Sequence, residues 1–87
     1  MNMRFFMNIK RDEDFQFIYL HDPNRHAETS ESIMLYHEFQ GYSWDAPKTD
    51  IIEISREQYN KLSELIDNNE DAYWDLADKI MQSETRD

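Results

Sequence analysis

Apolar and polar residues alternate at the start of the chain. Met3, Phe5, Met7 and Ile9 share one side at period two, which predicts a strand over about 3–9 with one apolar face. Phe6 falls on the other side with Arg4 and Asn8, so that side is expected to be partly covered too. Lys10 to Asp14 reads as a charged connection. Residues 15–20, FQFIYL, are rich in aromatic and β-branched types and predict a second strand. The short connection predicts that the two strands pair as a hairpin.

The polar run HDPNRHAETSES, His21 to Ser32, predicts an exposed loop. Residues 33–39, IMLYHEF, predict a third strand, with Ile33, Leu35 and Phe39 on one face. Gln40 to Asp50 holds the only glycine, Gly41, and the second proline, Pro47, and reads as another long loop, carrying Tyr42 and Trp44. Residues 51–54, IIEI, predict a short fourth strand.

The period then changes. Ser55-Arg56-Glu57-Gln58 matches a capping box, in which the Ser and Gln side chains satisfy each other's free backbone N–H groups. Tyr59, Leu62, Leu65 and Ile66 recur at helical spacing, and Tyr73, Leu76, Ala77 and Ile80 do the same. A heptad series runs through 59, 62, 66, 69, 73, 76 and 80 with Asn69 as its polar member, which favours one continuous helix. Such a helix over 56–82 would be ~40 Å long at 1.5 Å per residue, about twice the length of a typical strand. Asn68 and Asn69 can supply a left-handed C-terminal residue and a new N-cap. Two helices, about 56–67 and 70–82, are therefore expected. The fold class is α+β: one domain over 1–87, with a small, mainly antiparallel sheet of three or four strands and two C-terminal helices on one face.

Composition narrows the function classes. A chain of 87 residues buries only ~60–65% of its unfolded surface, so its core is small. A 39% apolar and 14% aromatic content is nonetheless enough for an ordered core. There is no cysteine, hence no disulfide framework and no cysteine-based zinc site, which fits a reducing cytoplasm, or a host cytoplasm if the chain is viral. No apolar run approaches the ~20 residues needed to span a bilayer, and the first residues lack the pattern of a signal peptide. Nineteen acids against nine bases give a net charge of −10. That charge repels nucleic-acid backbones and anionic membranes and attracts basic proteins. It also serves solubility.

Enzyme chemistry has little support. One glycine excludes the glycine-rich phosphate loops and the strained nucleophile elbow. His21, His26 and His37 show no helical metal-binding spacing. His21 and His26 are expected in a solvated loop, and His37 as a hydrogen-bonded, partly buried histidine on the Ile33 and Leu35 face. Carboxylates are too numerous for any pair to stand out as general acid and base. No catalytic residue, cofactor or metal is expected.

Asp67 to Asp78, DNNEDAYWDLAD, holds five carboxylates and no positive charge. Its oxygens at Asp67, Asn69, Asp71, the Tyr73 carbonyl, Asp75 and Asp78 resemble the ligand pattern of an EF-hand loop. Two positions depart from that pattern: Ala72 replaces the turn glycine, and Asp78 is one methylene shorter than the usual Glu. Read as a helix, the same stretch projects Asp67, Asp71, Asp75 and Asp78 within about 40° of one direction, opposite Tyr73, Leu76, Ala77 and Ile80. Between Glu64 and Asp78 there are six acids and no base. Trp74 falls at the border of the acidic and apolar sides, beside Glu70. Tyr42 and Trp44, next to Asp45, form a second candidate patch.

The expectation is a small acidic, non-enzymatic inhibitor of a basic nucleic-acid-handling protein such as a nuclease, CRISPR effector, restriction complex or nucleoid protein. Carboxylates would occupy phosphate-gripping positions, and an aromatic anchor would add specificity. Size and charge are similar to those of phage anti-defence proteins and nuclease immunity proteins, a likeness of class alone. The expected binding residues are Glu64, Asp67, Glu70, Asp71, Trp74, Asp75, Asp78, Tyr42, Trp44 and Asp45. The chain is expected to be a monomer or homodimer with no direct nucleic-acid or membrane contact. The alternatives are an assembly protein associating through its heptad-like helix, and a divalent-metal protein using 67–78.

Overall fold

The computed structural model describes residues 3–9 and 17–85, with side chains of the last helix described through Gln82. Period-two patterning becomes a five-stranded antiparallel sheet: β1 (Arg4–Asn8), β2 (Ile18–His21), β3 (Ser32–His37), β4 (Tyr42–Pro47) and β5 (Ile51–Ile54). Their spatial order is β4-β3-β2-β1-β5. Two helices follow, α1 (Arg56–Asn68) and α2 (Glu70–Thr85). The first two strands pair antiparallel as expected, with Phe6 opposite Tyr19. Residues 15 and 16 of the expected second strand lie outside the described residues.

The fifth strand corrects the sequence reading. Residues 42–47, expected in a loop, pair with β3 along its whole length, from Ser32 opposite Pro47 to His37 opposite Tyr42. The two turn-forming residues bound this strand instead of interrupting it. Gly41 has φ +71°, a left-handed conformation that closes the tight β3–β4 turn, and its N–H donates to the His37 carbonyl at 2.7 Å. Pro47 sits at the end of an edge strand, where a missing N–H is tolerated. The third strand accordingly stops at His37, and Phe39 lies in the turn, 37% exposed.

Each sheet face carries a buried cluster, and only one of them includes helical residues. Phe5, Met7, Ile18 and Ile54 pack with Tyr59 and Leu62 of α1 and Tyr73, Ala77, Ile80 and Met81 of α2. On the other face Phe6, Tyr19, Ile33, Leu35, Ala46 and Ile51 form a cluster with no helical member among the described residues. The expectation that Phe6 has cover on its own side holds, since it is 5% exposed. Helix α1 is tied to the sheet by Tyr59, whose hydroxyl donates to Glu38 at 2.5 Å. Burial, and then that carboxylate, push the Tyr59 pKa well above the ordinary tyrosine value.

The capping box forms as read. The Gln58 N–H donates to Ser55 Oγ at 3.0 Å and the Ser55 N–H to Gln58 Oε1 at 2.8 Å. The helix break falls at Asn69, which serves both helices. Its N–H donates to the Leu65 carbonyl, closing α1, while its side-chain Oδ1 accepts the Ala72 N–H at 3.2 Å, opening α2. Asn69 has φ −159°, so the expected left-handed residue is not used. An unbroken helix over 56–85 would be ~45 Å long. The longest axis of the molecule is 33 Å. The break lets the second apolar stripe fold back onto the first and the sheet, so the heptad positions meet inside one chain.

Candidate functional site

Two surfaces were candidates, and the structure treats them differently. On the helices Glu64, Asp67, Glu70, Asp71, Asp75 and Asp78 are all exposed. None makes an ion pair among the described residues, where the ion pairs join Arg4 to Glu28 and Glu53, and Lys48 to Glu28. Asp71, Asp75 and Asp78 run along one side of α2 at four- and three-residue spacing. Asp67 belongs to α1, before the break. Arg4 and Lys48 are thus paired on the sheet side of the molecule, while the helical carboxylates make no ion pair to a described residue. Hydrogen bonding to Lys48, with Arg4 also nearby, holds the Glu28 carboxyl below the usual range, so this sheet-side cluster stays ionised.

The expected helix forms over this stretch, and the EF-hand alternative does not take the shape of a loop. Residues 70–78 are helical, and among the described residues no three His, Asp or Glu side chains converge as metal ligands.

The second patch is divided. Strand alternation sends Tyr42 and Trp44 to one sheet face and Asp45 to the other, because Asp45 pairs with Met34 while Trp44 pairs with Leu35. Tyr42 is 38% exposed. The half-buried Trp44 ring lies 5.4 Å from the Tyr19 ring. The Tyr19 hydroxyl is 3.5 Å from that of Tyr42, and burial raises the Tyr19 pKa. These rings form one side of a cluster centred on His37, which stacks parallel on Tyr42 at 5.1 Å and meets Phe17, Tyr19 and Phe39 edge-on.

His37 is more deeply buried than expected, at 1% exposure. Its Nδ1 accepts the Gln40 N–H at 3.1 Å, which leaves the proton of the neutral ring on a buried Nε2 that has no partner among the described residues. Desolvation lowers its pKa below the ordinary value. The stability this confers is complete above the unfolded pKa of about 6.5 and is lost as pH falls through 6.5 toward the folded value, because the unfolded ring binds its proton first. An NMR titration of the His37 ring in the folded protein is expected to give a midpoint below ~6.5. A midpoint at or above that value would contradict the buried neutral ring.

His21 is corrected as well. It is the last residue of β2, 2% exposed, and its Nδ1–H donates to the Met34 carbonyl at 2.8 Å. It lies beside the His26 ring at 5.7 Å rather than in solvent.

A pocket of 130 Å³ sits where the two helices meet, lined by Phe17, Ile66, Glu70, Tyr73 and Trp74. The two rings from α2, Tyr73 and Trp74, stand edge-on at 4.9 Å. Trp74 is half-buried against the helix-side core rather than projecting as an anchor, while Glu70 is exposed at the pocket's edge. Sequence reasoning had placed Glu70 and Trp74 together at the border of the acidic side. It missed Phe17, Ile66 and Tyr73 as parts of a site, since helical spacing marks the last two as core and nothing local links Phe17 to them.

Comparison of the chain with family models, curated proteins and solved structures finds no match. Among the described residues no helix is long and apolar enough to cross a membrane.

Proposed function

We propose that this protein is a non-enzymatic, acidic binding protein that occludes a basic nucleic-acid-handling protein in the cytoplasm. The target class is one whose Lys and Arg side chains grip phosphate, such as a nuclease, a CRISPR effector, a restriction complex or a nucleoid protein. The observation that carries this reading is the run of six exposed carboxylates from Glu64 to Asp78 with no base among them and no ion pair to any described residue. Duplex DNA carries a charge every ~3.4 Å per strand. Successive acids on one side of α2 are ~4.5–6 Å apart along the axis at 1.5 Å rise per residue, a sparser array of comparable scale.

The mechanism requires no chemistry. Carboxylates on a rigid helix take the place of phosphates, and the charge of the whole chain steers a basic partner toward them. The assembly alternative draws less support, since Leu62 and Tyr73 of its heptad seam are buried in the chain's own core and Asn69 is engaged as a cap.

Immobilised protein incubated with bacterial lysate is expected to retain nucleic-acid-binding proteins at low salt and to release them at high salt. Exposed charges are screened beyond ~8–10 Å at ordinary ionic strength. Added duplex DNA should compete for the same proteins. Retention that ignores both salt and DNA would sink the reading.

A further inference from the structure

We infer that the free edge of β4 pairs with the same edge of a second copy of this chain, giving a two-fold dimer with one continuous sheet. β4 ends the sheet, with β3 on one side and no strand on the other among the described residues. Backbone bonds fix which of its groups face outward. The Lys48 N–H donates to the Glu31 carbonyl at 2.9 Å, and alternation carries that inward pairing on to Ala46, Trp44 and Tyr42. Met34, opposite Asp45, sends its own N–H away from β4, to the Ala27 carbonyl at 2.9 Å. Ser43 and Asp45 therefore turn their N–H and C=O groups outward, and neither N–H reaches an acceptor among the described residues.

Two-fold pairing about Trp44 matches these groups to themselves. Ser43 falls opposite the second copy's Asp45, and Asp45 opposite its Ser43, so each pair exchanges two N–H···O=C bonds. Beyond them Pro47, which has no N–H, falls opposite Gly41, whose N–H is already given to the His37 carbonyl. Every outward N–H of the two edges is used. Trp44 meets Trp44 across the axis in a non-hydrogen-bonded pair, where side chains approach most closely. The exposed Tyr42 meets the small Ala46 in the same way.

Charge selects this edge for self-pairing. Two chains of net charge −10 repel each other, and the repulsion is weakest where acids are sparse. From Tyr42 to Pro47 the single charged residue is Asp45. The helix-side core draws on β1, β2 and β5 and on no described residue of β3 or β4, so the helices and their acids lie over the other half of the sheet. Joined at β4, the two copies hold those acidic helices at opposite ends. The other edge, β5, is shorter and carries Glu53 on the helix-covered half. Pairing β4 of one copy with β5 of the next would propagate a filament, whereas β4 with β4 closes.

This dimer does not depend on the basic-partner reading above, and salt separates the two. Sedimentation equilibrium of the full chain from micromolar to millimolar concentration is expected to show monomer passing to dimer, with more dimer at high salt, because screening weakens the repulsion between acidic chains. Partner capture responds to salt in the opposite sense. Amide hydrogen exchange locates the contact: the Ser43 and Asp45 N–H groups should become severalfold slower as concentration rises, while Glu53 on the opposite edge does not change. Ser43→Pro removes an outward N–H that β3 does not use, and Ser43→Asp sets like charges opposite each other in both pairs; each should weaken the dimer at least tenfold. Ser43→Lys, facing the second copy's Asp45, should tighten it. Asn60→Asp and Asn60→Lys, the same charge changes on an exposed position of α1, should leave it nearly unaltered. If circular dichroism shows that Ser43→Pro has lost its fold, the Asp and Lys variants decide alone. A monomer at every concentration, a dimer whose Ser43 and Asp45 amides exchange as in dilute solution, or a dimer equally tight with Asp and Lys at position 43 would each overturn the assignment. A dimer without lysate capture would keep the β4 contact and remove the basic partner.

Discussion

Leu62→Ala is expected to lower the unfolding free energy by about 2–5 kcal/mol, the range for truncating a fully buried leucine. Leu62 is 0% exposed and belongs to the cluster that joins α1 to Phe5 and Met7 of the sheet and to Tyr73 of α2. Truncation removes transfer free energy and leaves a void where three elements meet. A domain of this length holds about 4–13 kcal/mol in total, at ~0.05–0.15 per residue, so one side chain accounts for a large share. The melting temperature should fall by tens of degrees, at ~4–8 °C per kcal/mol. Urea denaturation followed by circular dichroism reads the loss directly. Lys61→Ala, on the exposed side of the same helix, should stay within about 0.5 kcal/mol of the parent. A loss below ~1 kcal/mol at Leu62 would mean that α1 does not dock as described.

Reversal of Asp71, Asp75 and Asp78 to Lys should abolish partner capture while leaving the fold intact. Each reversal changes the charge by two, so the three together bring the net charge from −10 to −4. They also place three cations on the side of α2 proposed to meet the target's own Lys and Arg. An exposed ion pair contributes at most ~1 kcal/mol, and reversal replaces each attraction with a repulsion of similar size. Three such changes amount to at most ~6 kcal/mol, or up to ~10⁴-fold in affinity. The structural effect is small because all three side chains are exposed and none holds an ion pair to a described residue. Asp71 lies in the first turn of α2, where losing a negative charge costs about 0.3–1 kcal/mol through the helix dipole. The variant should therefore show the parent's circular dichroism spectrum and a slightly lower midpoint. Undiminished capture by this folded variant would exclude the acidic side of α2 as the binding surface.

Much of the fold was legible because it depends on neighbours in sequence. Alternation in 3–9 and the IIEI run placed β1 and β5, and the Ser55–Gln58 box placed the start of α1 within one residue. The break at Asn69 was readable from two coincident signals, the adjacent amides and the excessive length of a single helix. Strand β4 was also written at period two, in Tyr42, Trp44 and Ala46, but Gly41 and Pro47 pointed to a loop. Those residues close the turn and end the edge strand, and only pairing with β3 shows that they bound an element. The same alternation splits Asp45 from Trp44, which a reading of the segment as loop could not show.

By itself the sequence determined the α+β class, the negative charge, the two amphipathic helices and the exposure of their acids. Each follows from composition or from a period that repeats over a few residues. The tertiary structure alone decided which distant residues meet. It brought Phe17 to Tyr73 and Trp74, buried His37 among the rings of β2 and β4, and paired Arg4 and Lys48 on the sheet side of the molecule. Periodicity tells each side chain which way to face, but the pocket depends on strand order and on the angle at Asn69, which arise from contacts across the whole chain.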